Sequence, residues 1–318
     1  MIELQNVSKH YPLEAGFFAR QDARVYAVNG VSLRIEPGEI YGLVGESGCG
    51  KTTTARLLVR MEHLTAGEIR FRNRDGEEFL YSRLDRRSLR RVRSNVRYVF
   101  QDPARSLNPR LTIRDVLLSG YRYSPRWPGT AQAEGEARRL MQEVGLRVED
   151  LDRRPADFSG GQRQRISIAR SLITRPEVLI CDEVVSALDV SIQGQILNLL
   201  LQLREEHKLT MIFIAHDLAV VGYVSDRIGV MYRGVLVEEA PAPDLLRQRH
   251  HPYTRYLFEA LPVLGDRWNR QVSVPAFAES ADPTVFPVSS ADQLMMTEVS
   301  PGHRVSAAFT RSAGVEPA

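Results

Sequence analysis

Gly45-Glu46-Ser47-Gly48-Cys49-Gly50-Lys51-Thr52 carries glycine, lysine and hydroxyl at the spacing G-x-x-x-x-G-K-[ST]. Each fixed position answers a need of polyphosphate. Glycines let backbone N–H groups curve around several negative charges without a side-chain wall. A helix starting after Gly50 turns its positive end toward them. Lys51 adds a full charge, and the Thr52 hydroxyl is a hard oxygen donor suited to Mg²⁺. The candidate cradle runs from Gly45, Glu46, Ser47, Gly48, Cys49 and Gly50 through Lys51, Thr52 and Thr53. A chance glycine-rich turn is the bland alternative, disfavoured by the strand pattern before the loop and the helical pattern after it.

A second chemical centre is Val178-Leu179-Ile180-Cys181-Asp182-Glu183, an apolar strand ending in two carboxylates. Burying that strand puts Asp182 at the carboxyl edge of a sheet, where α/β sites gather. Asp182 is placed to hold Mg²⁺, and Glu183 to orient and polarise an attacking water. Alone, the pair would read equally well as a solvated acidic turn. Beside a triphosphate cradle, it completes a site for Mg²⁺ and ATP. A third centre is Ser159-Gly160-Gly161-Gln162-Arg163-Gln164-Arg165. Ser159 is a good helix cap, and Gly160 and Gly161 open a helix with Ile166, Ala169 and Ile173 on its apolar face. This is a second bare helix N-terminus, hence a second anion site.

The elements that position these groups are short apolar strands alternating with helical patterns, which predicts α/β with a largely parallel sheet. Strands are predicted at 2–7, 26–28, 31–35, 39–44, 96–100, 178–181, 211–215 and 227–231. A helix follows Lys51, and 111–174 reads mainly as helix and loop. Ile192, Ile196, Leu199, Leu200 and Leu203 share one helical face, as do Tyr253, Tyr256, Leu257, Ala260 and Leu261. After Leu264 the periodicity fades among Pro, Ser and Ala, and no internal repeat is visible.

Composition narrows the class. The 318 residues are 43% hydrophobic and 25% charged, as in globular proteins. A formal charge of only +3 does not argue for nucleic acid. Two cysteines, Cys49 and Cys181, exclude a disulfide framework and fit a reducing compartment. No signal peptide or apolar run of membrane-spanning length is seen, so any membrane crossing falls to another chain. Arg83, Arg86, Arg87, Arg90, Arg91, Arg93 and Arg97 form a basic run. Without interleaved aromatics, it reads first as a solvated helical face and second as a surface near the membrane. Trp127 is expected in a loop against the helical segment. Cys49 reads equally as a small buried filler or as a thiol whose alkylation blocks nucleotide.

Taken in order, the phosphate loop, Gln101, SGGQRQR, CDE, Ser186-Ala187-Leu188-Asp189 and His216 resemble the ABC-transporter ATPase family, from about Met1 to Leu261. The resemblance implies an α/β P-loop NTPase (RecA-like) core with an N-terminal antiparallel β subdomain and an inserted α-helical subdomain. On that division, 1–235 is the ATP-binding domain, with its helical part at about 102–175, and 236–318 is an extension loosely structured after about 265. Tyr11 resembles the aromatic that stacks on adenine, and Gln101 the glutamine contacting Mg²⁺ and water. Ser159, Gly160, Gly161 and Gln162 resemble the signature that caps the γ-phosphate of ATP on a partner subunit. Asp189 resembles the aspartate crossing the dimer interface, and His216 the histidine on the γ-phosphate. Catalytic roles are thus implied for Glu183, His216 and Gln101, and metal contacts for Thr52, Gln101 and Asp182.

Gln101-Asp102-Pro103-Ala104-Arg105-Ser106-Leu107-Asn108-Pro109-Arg110, His251-Pro252-Tyr253-Thr254 and Pro301-Gly302-His303-Arg304-Val305 are similar to the oligopeptide, dipeptide and nickel importers of that family. This implies ATP and Mg²⁺ as cofactors and a peripheral place on the cytoplasmic face of the inner membrane. The implied partners are a second ATPase subunit, non-identical or a copy, two permeases and an external solute-binding protein, with no nucleic acid. Oligopeptides or dipeptides lead as cargo, with nickel and oligosaccharides open. Two departures stand out. Val184 occupies a position where the family commonly has proline, and the extension lacks the cysteines that some relatives carry, so no iron–sulfur cluster is expected. Two rivals are a permease-free ATPase of translation or repair, disfavoured by a single cassette without large insertions, and a scaffold without hydrolysis, disfavoured by Glu183 and His216.

Overall fold

The most apolar runs become strands buried at every position, at Ile40–Val44, Val178–Asp182 and Thr210–Ile214. The computed structural model describes residues 1–12, 24–122, 124, 126–259 and 295–306. In chain order, β1 (Ile2–Pro12) and β2 (Arg24–Ile35) precede β3 (Ile40–Val44) and α1 (Lys51–Leu58). Then come β4 (Ala66–Arg72), β5 (Glu78–Leu80), α2 (Arg86–Val92) and β6 (Val96–Val99). The next elements are α3 (Pro103–Ser106), α4 (Ile113–Arg122), α5 (Thr130–Glu143) and α6 (Gly160–Leu172), with short 3-10 turns between α5 and α6. The core resumes with β7 (Val178–Asp182), α7 (Val190–His207), β8 (Thr210–Ile214), α8 (Leu218–Val224), β9 (Arg227–Tyr232) and β10 (Val235–Pro241). Last are α9 (Ala242–Arg247), α10 (Pro252–Glu259), β11 (Met296–Ser300) and β12 (His303–Ser306).

Two sheets result. The first is antiparallel in the order β2-β1-β4-β5; the second runs β11-β12-β10-β9-β3-β8-β7-β6. The pairs β9–β3, β3–β8, β8–β7 and β7–β6 are parallel, as the alternating pattern predicts. Strand pleating sorts the central side chains into two cores. Val178, Ile180, Ile212 and Ile214 join the core beneath the antiparallel sheet. Leu179, Cys181, Met211 and Phe213 face the opposite core, shared with α4, α5 and α6. Each such side chain contributes about 2 kcal/mol of burial. Trp127 packs edge-on to Tyr121 at 5.9 Å, tying its loop to α4.

Strands β4, β5 and β10 were not predicted, and the structure departs from expectation in two further places. The first strands are longer than predicted, because β1 and β2 pair from Ile2 opposite Ile35 to Pro12 opposite Arg24, with register shifts between Leu4 and His10. The tail after about 265, expected to be loose, contains the β11–β12 hairpin, and β12 pairs antiparallel with β10. Its apolar signal is short, but the hairpin buries Val305 and His303 and sends Arg304 to Glu239. Pairing with buried charge, rather than hydrophobic periodicity, holds it. Ala260, Leu261 and the loop from Leu13 lie outside the described residues.

Candidate functional site

The phosphate loop joins β3 to α1, so a buried parallel strand fixes one end and a helix the other. Its glycines are structural requirements. A Cβ on Gly45 would lie 2.2 Å from the Met231 carbonyl oxygen, and one on Gly50 2.2 Å from that of Ala27. Gly50 also caps α1 in a left-handed conformation, φ 110°. The result is a cradle lined by backbone, as polyphosphate demands. Lys51 is 5% exposed and its ammonium donates to the Gly45 and Glu46 carbonyls at 2.6 and 2.8 Å. It therefore sits inside the loop, with carbonyl bonds a phosphate can replace. Cys49 is buried beside it, and burial raises its thiol pKa despite the nearby Lys51 charge. That environment matches the filler reading of Cys49.

β7 delivers the carboxylates to the same edge. Thr52 Oγ1 donates to Asp182 Oδ1 at 3.3 Å, which brings together two oxygen donors suited to Mg²⁺. Asp182 also accepts from the Tyr98 hydroxyl, a residue that sequence reasoning missed. Burial first, and the Asp182 bond next, raise the Tyr98 pKa, so the phenol stays a donor. Its position on β6, three residues before Gln101, was the available signal. Glu183 has a left-handed backbone, φ 49°, uncommon for a side chain of this kind. Its N–H donates to Ile214 at 2.8 Å, and its carbonyl accepts from the Ser186 hydroxyl at 2.9 Å, which locks that conformation. Gln101 Nε2 donates to Glu183 Oε2 at 2.5 Å, so two of the three predicted catalytic residues meet directly. His216 follows β8 at the same sheet edge, exposed, with Asp217 next to it capping α8.

Ser159 caps its helix, as its type predicts. Ser159 accepts from the Gln162 amide, and Gln162 returns a bond to the Ser159 amide at 3.0 Å, closing a capping box. Ser159, Gly160 and Gln162 are exposed. Gly161 lies against Ile192, where a Cβ would be 2.7 Å from Cγ2, and Gly160 is next to Leu188. The signature helix thus packs on the segment leading into α7 and leaves its N-terminus free to solvent. Asp189 begins α7 without using its carboxylate as a cap, and neighbouring Val190 is 84% exposed. Tyr11 lies at the end of β1, its hydroxyl on Glu62 and its ring 4.8 Å from the Lys9 ammonium. Burial and the Glu62 bond push its pKa up to about 12.

The arginine run splits. Arg86, Arg87, Arg90 and Arg91 are exposed on α2, as a solvated face requires. Arg97 instead lies in the groove between α2 and α4, donating to the Gly120 carbonyl at 2.9 Å. Burial, with Arg170 and Arg93 nearby, lowers its pKa to about 10. The groove is a cavity of about 820 Å³ lined also by Arg86, Arg90 and Arg93.

A backbone cradle, a carboxylate strand and a capped glycine helix on one parallel sheet define a nucleotide-hydrolysing α/β cassette. A family model described as ABC transporter matches residues 28–186, and one described as oligopeptide/dipeptide transporter, C-terminal region, matches 237–282. The chain is 41% identical over 305 residues to the oligopeptide transport ATP-binding protein OppF of Bacillus subtilis (strain 168), covering 96% of this chain and 95% of that protein. It is 44% identical over 266 residues to OppF of Escherichia coli (strain K12), covering 83% and 78%. A solved dimeric ATP-binding cassette in a post-hydrolysis state with ADP and Pi superposes with a TM-score of 0.65 at 28% identity, over 76% of this chain and 99% of that one. The chain belongs to the ABC transporter family of ATP-binding subunits. It is an ATPase coupled to transport. Cassettes of this family act as dimers with permease subunits and are membrane-associated. Among the described residues, no helix is long and apolar enough to cross a membrane.

Proposed function

We propose that this chain energises an importer of oligopeptides or dipeptides by ATP-driven closure of a cassette dimer. The observation that carries the closure is the separation of the two anion sites. The cradle with Thr52, Asp182, Glu183 and Gln101 forms one group, while the Ser159 helix packs on Leu188 and Ile192 and faces solvent. Each nucleotide is then held by the cradle of one subunit and by Ser159, Gly160, Gly161 and Gln162 of another, with Asp189 at the boundary. ATP favours the closed pair because it binds that state better than the separate halves.

Within each site the roles follow from position. Lys51 and the amides from Ser47 to Thr53 hold the phosphates, and Tyr11 carries the base. Thr52, Gln101 and Asp182 would hold Mg²⁺, which neutralises charge on the β and γ oxygens when bound. Glu183 orients the attacking water and accepts its proton as the bond from the γ-phosphorus to the ADP oxygen breaks. His216 contacts the γ-phosphate. No iron–sulfur chemistry is assigned, since the sequence after Cys181 has no cysteine.

On this reading 1–235 is the ATP-binding domain, its helical part at about 102–175, and 236–318 the extension. Peptide cargo rests on the relatives and on the matched extension at 237–282. The partners are a second ATPase, non-identical or a copy of this chain, two permeases and an external solute-binding protein, with no nucleic acid, at the cytoplasmic face of the inner membrane. The arginine-lined groove borders β6, whose far end carries Gln101, so a permease segment seated there would be mechanically linked to the water site. The test is reconstitution with the neighbouring permeases and binding protein in vesicles. ATP-dependent uptake of labelled peptide is expected; uptake of nickel or an oligosaccharide instead would overturn the cargo.

A further inference from the structure

The phosphate loop is tied to the chain's C-terminal extension by one hydrogen bond. The Glu46 amide donates to the Tyr253 hydroxyl at 2.9 Å, across 207 positions. Tyr253 lies on α10, is 1% exposed, and has its ring 4.3 Å from that of Tyr232 at the end of β9. Burial raises its pKa, so the hydroxyl remains neutral. Its base is rigid. Glu238 on β10, fully buried, accepts from the His250 and His251 amides at 2.8 and 3.1 Å and from His303 of β12 at 2.7 Å. The turn entering α10 is thereby clamped to β10 and to the hairpin.

Among the described residues, two side chains hold the Gly45–Glu46 rim: Lys51 on the Gly45 and Glu46 carbonyls, and Tyr253 on the Glu46 amide. Lys51 must leave those carbonyls to serve a triphosphate. The Tyr253 bond need not break, because its donor lies upstream of the helix-capping amides. We propose that Tyr253 is a positioning residue for nucleotide binding, holding the loop rim at Glu46 from the extension. The inference rests on the reading that this loop takes the phosphates of ATP.

Tyr253→Phe in the full chain removes the hydroxyl and keeps the ring. Loss of one such bond is expected to raise KM for ATP about three- to ten-fold, with kcat at saturating ATP within about twofold. A merely packing role would leave KM where it was, and that result overturns the proposal. Hydrogen exchange of the peptide spanning 43–50 gives a second readout that needs no turnover. Faster exchange at Glu46 in the variant is expected, and equal exchange rejects the contact. If the unaltered protein fails to bind ATP, the phosphate-loop reading itself falls, while the exchange result still decides on Tyr253.

Discussion

Lys51 and Glu183 show how single side chains are held for chemistry. Lys51 is kept nearly dry by its own loop, and its ammonium rests on carbonyls that a phosphate can displace. Lys51→Ala is expected to lose ATP affinity by at least about tenfold, read by nucleotide titration; unchanged binding would count against the cradle. Glu183 is held by Gln101 and by an unusual backbone angle. Glu183→Gln should bind ATP yet release phosphate about 10² to 10⁴ times more slowly, the range for loss of a general base; normal turnover would remove it from that role. Val184 bears on the same corner. Its amide donates to no protein group among the described residues, so Val184→Pro should keep the ATPase rate within a few-fold. The motif residues were legible because their types are dictated by phosphate and water. Tyr98 and Tyr253 were not, because a tyrosine acting through its hydroxyl leaves the same apolar signature as one that only packs.

At the scale of elements, strand–helix alternation was readable because each central strand is buried on both faces. β3, β7 and β8 are buried at every position, which forces continuous apolar runs. The β11–β12 hairpin escaped because its partners are buried glutamates on β10, and charge pairing has no periodicity. The phosphate-loop connection offers a direct test. Gly50→Ala meets both a left-handed φ and the Ala27 carbonyl. It should destabilise the chain by roughly 1–3 kcal/mol, measured by denaturant unfolding. The turn before α10 should respond to pH. Burial lowers the His251 pKa to about 4, and its Nδ1 accepts from the Tyr253 amide at 3.2 Å, a bond only the form unprotonated there can make. The unfolded chain, with histidine near 6.5, binds the proton more readily. Stability from this group is therefore complete above about pH 6.5 and is lost as pH falls toward 4. Glu238 acts at lower pH: burial alone would raise its pKa, but bonds from His303, Thr254 and the two histidine amides lower it overall, so its contribution is present above about pH 4.5 and is lost only below that. Thermal melting of the unliganded chain should fall between pH 7.5 and 5, and less so in His251→Asn; parallel slopes would contradict this.

For the whole molecule, the exposed N-terminus of the Ser159 helix, Asp189 and Val190 form a surface with no partner among the described residues. In the Glu183→Gln background, ATP should drive dimers visible by sedimentation. Val190→Asp should weaken them about tenfold if the side chain is buried on closure; an unchanged dimer fraction would place the boundary elsewhere. The resemblance implied Ser159 and Asp189 at this boundary, but Val190 was not legible, because an exposed valine reads as an unremarkable helix start.

The order in which the large sheet is filled has a bearing on synthesis. β12 zips against β10 about 65 residues after it in the chain, and its His303 and Arg304 reach Glu238 and Glu239. During translation, β10 must wait with an open edge and two carboxylates short of these partners until those residues clear the ribosome. A message broken between the codons for 241 and 303 would yield a polypeptide containing every ATP-handling motif yet carrying that unfinished edge. Such an edge is what a chaperone or protease can recognise, so the hairpin can serve as a completeness check on the newly made subunit.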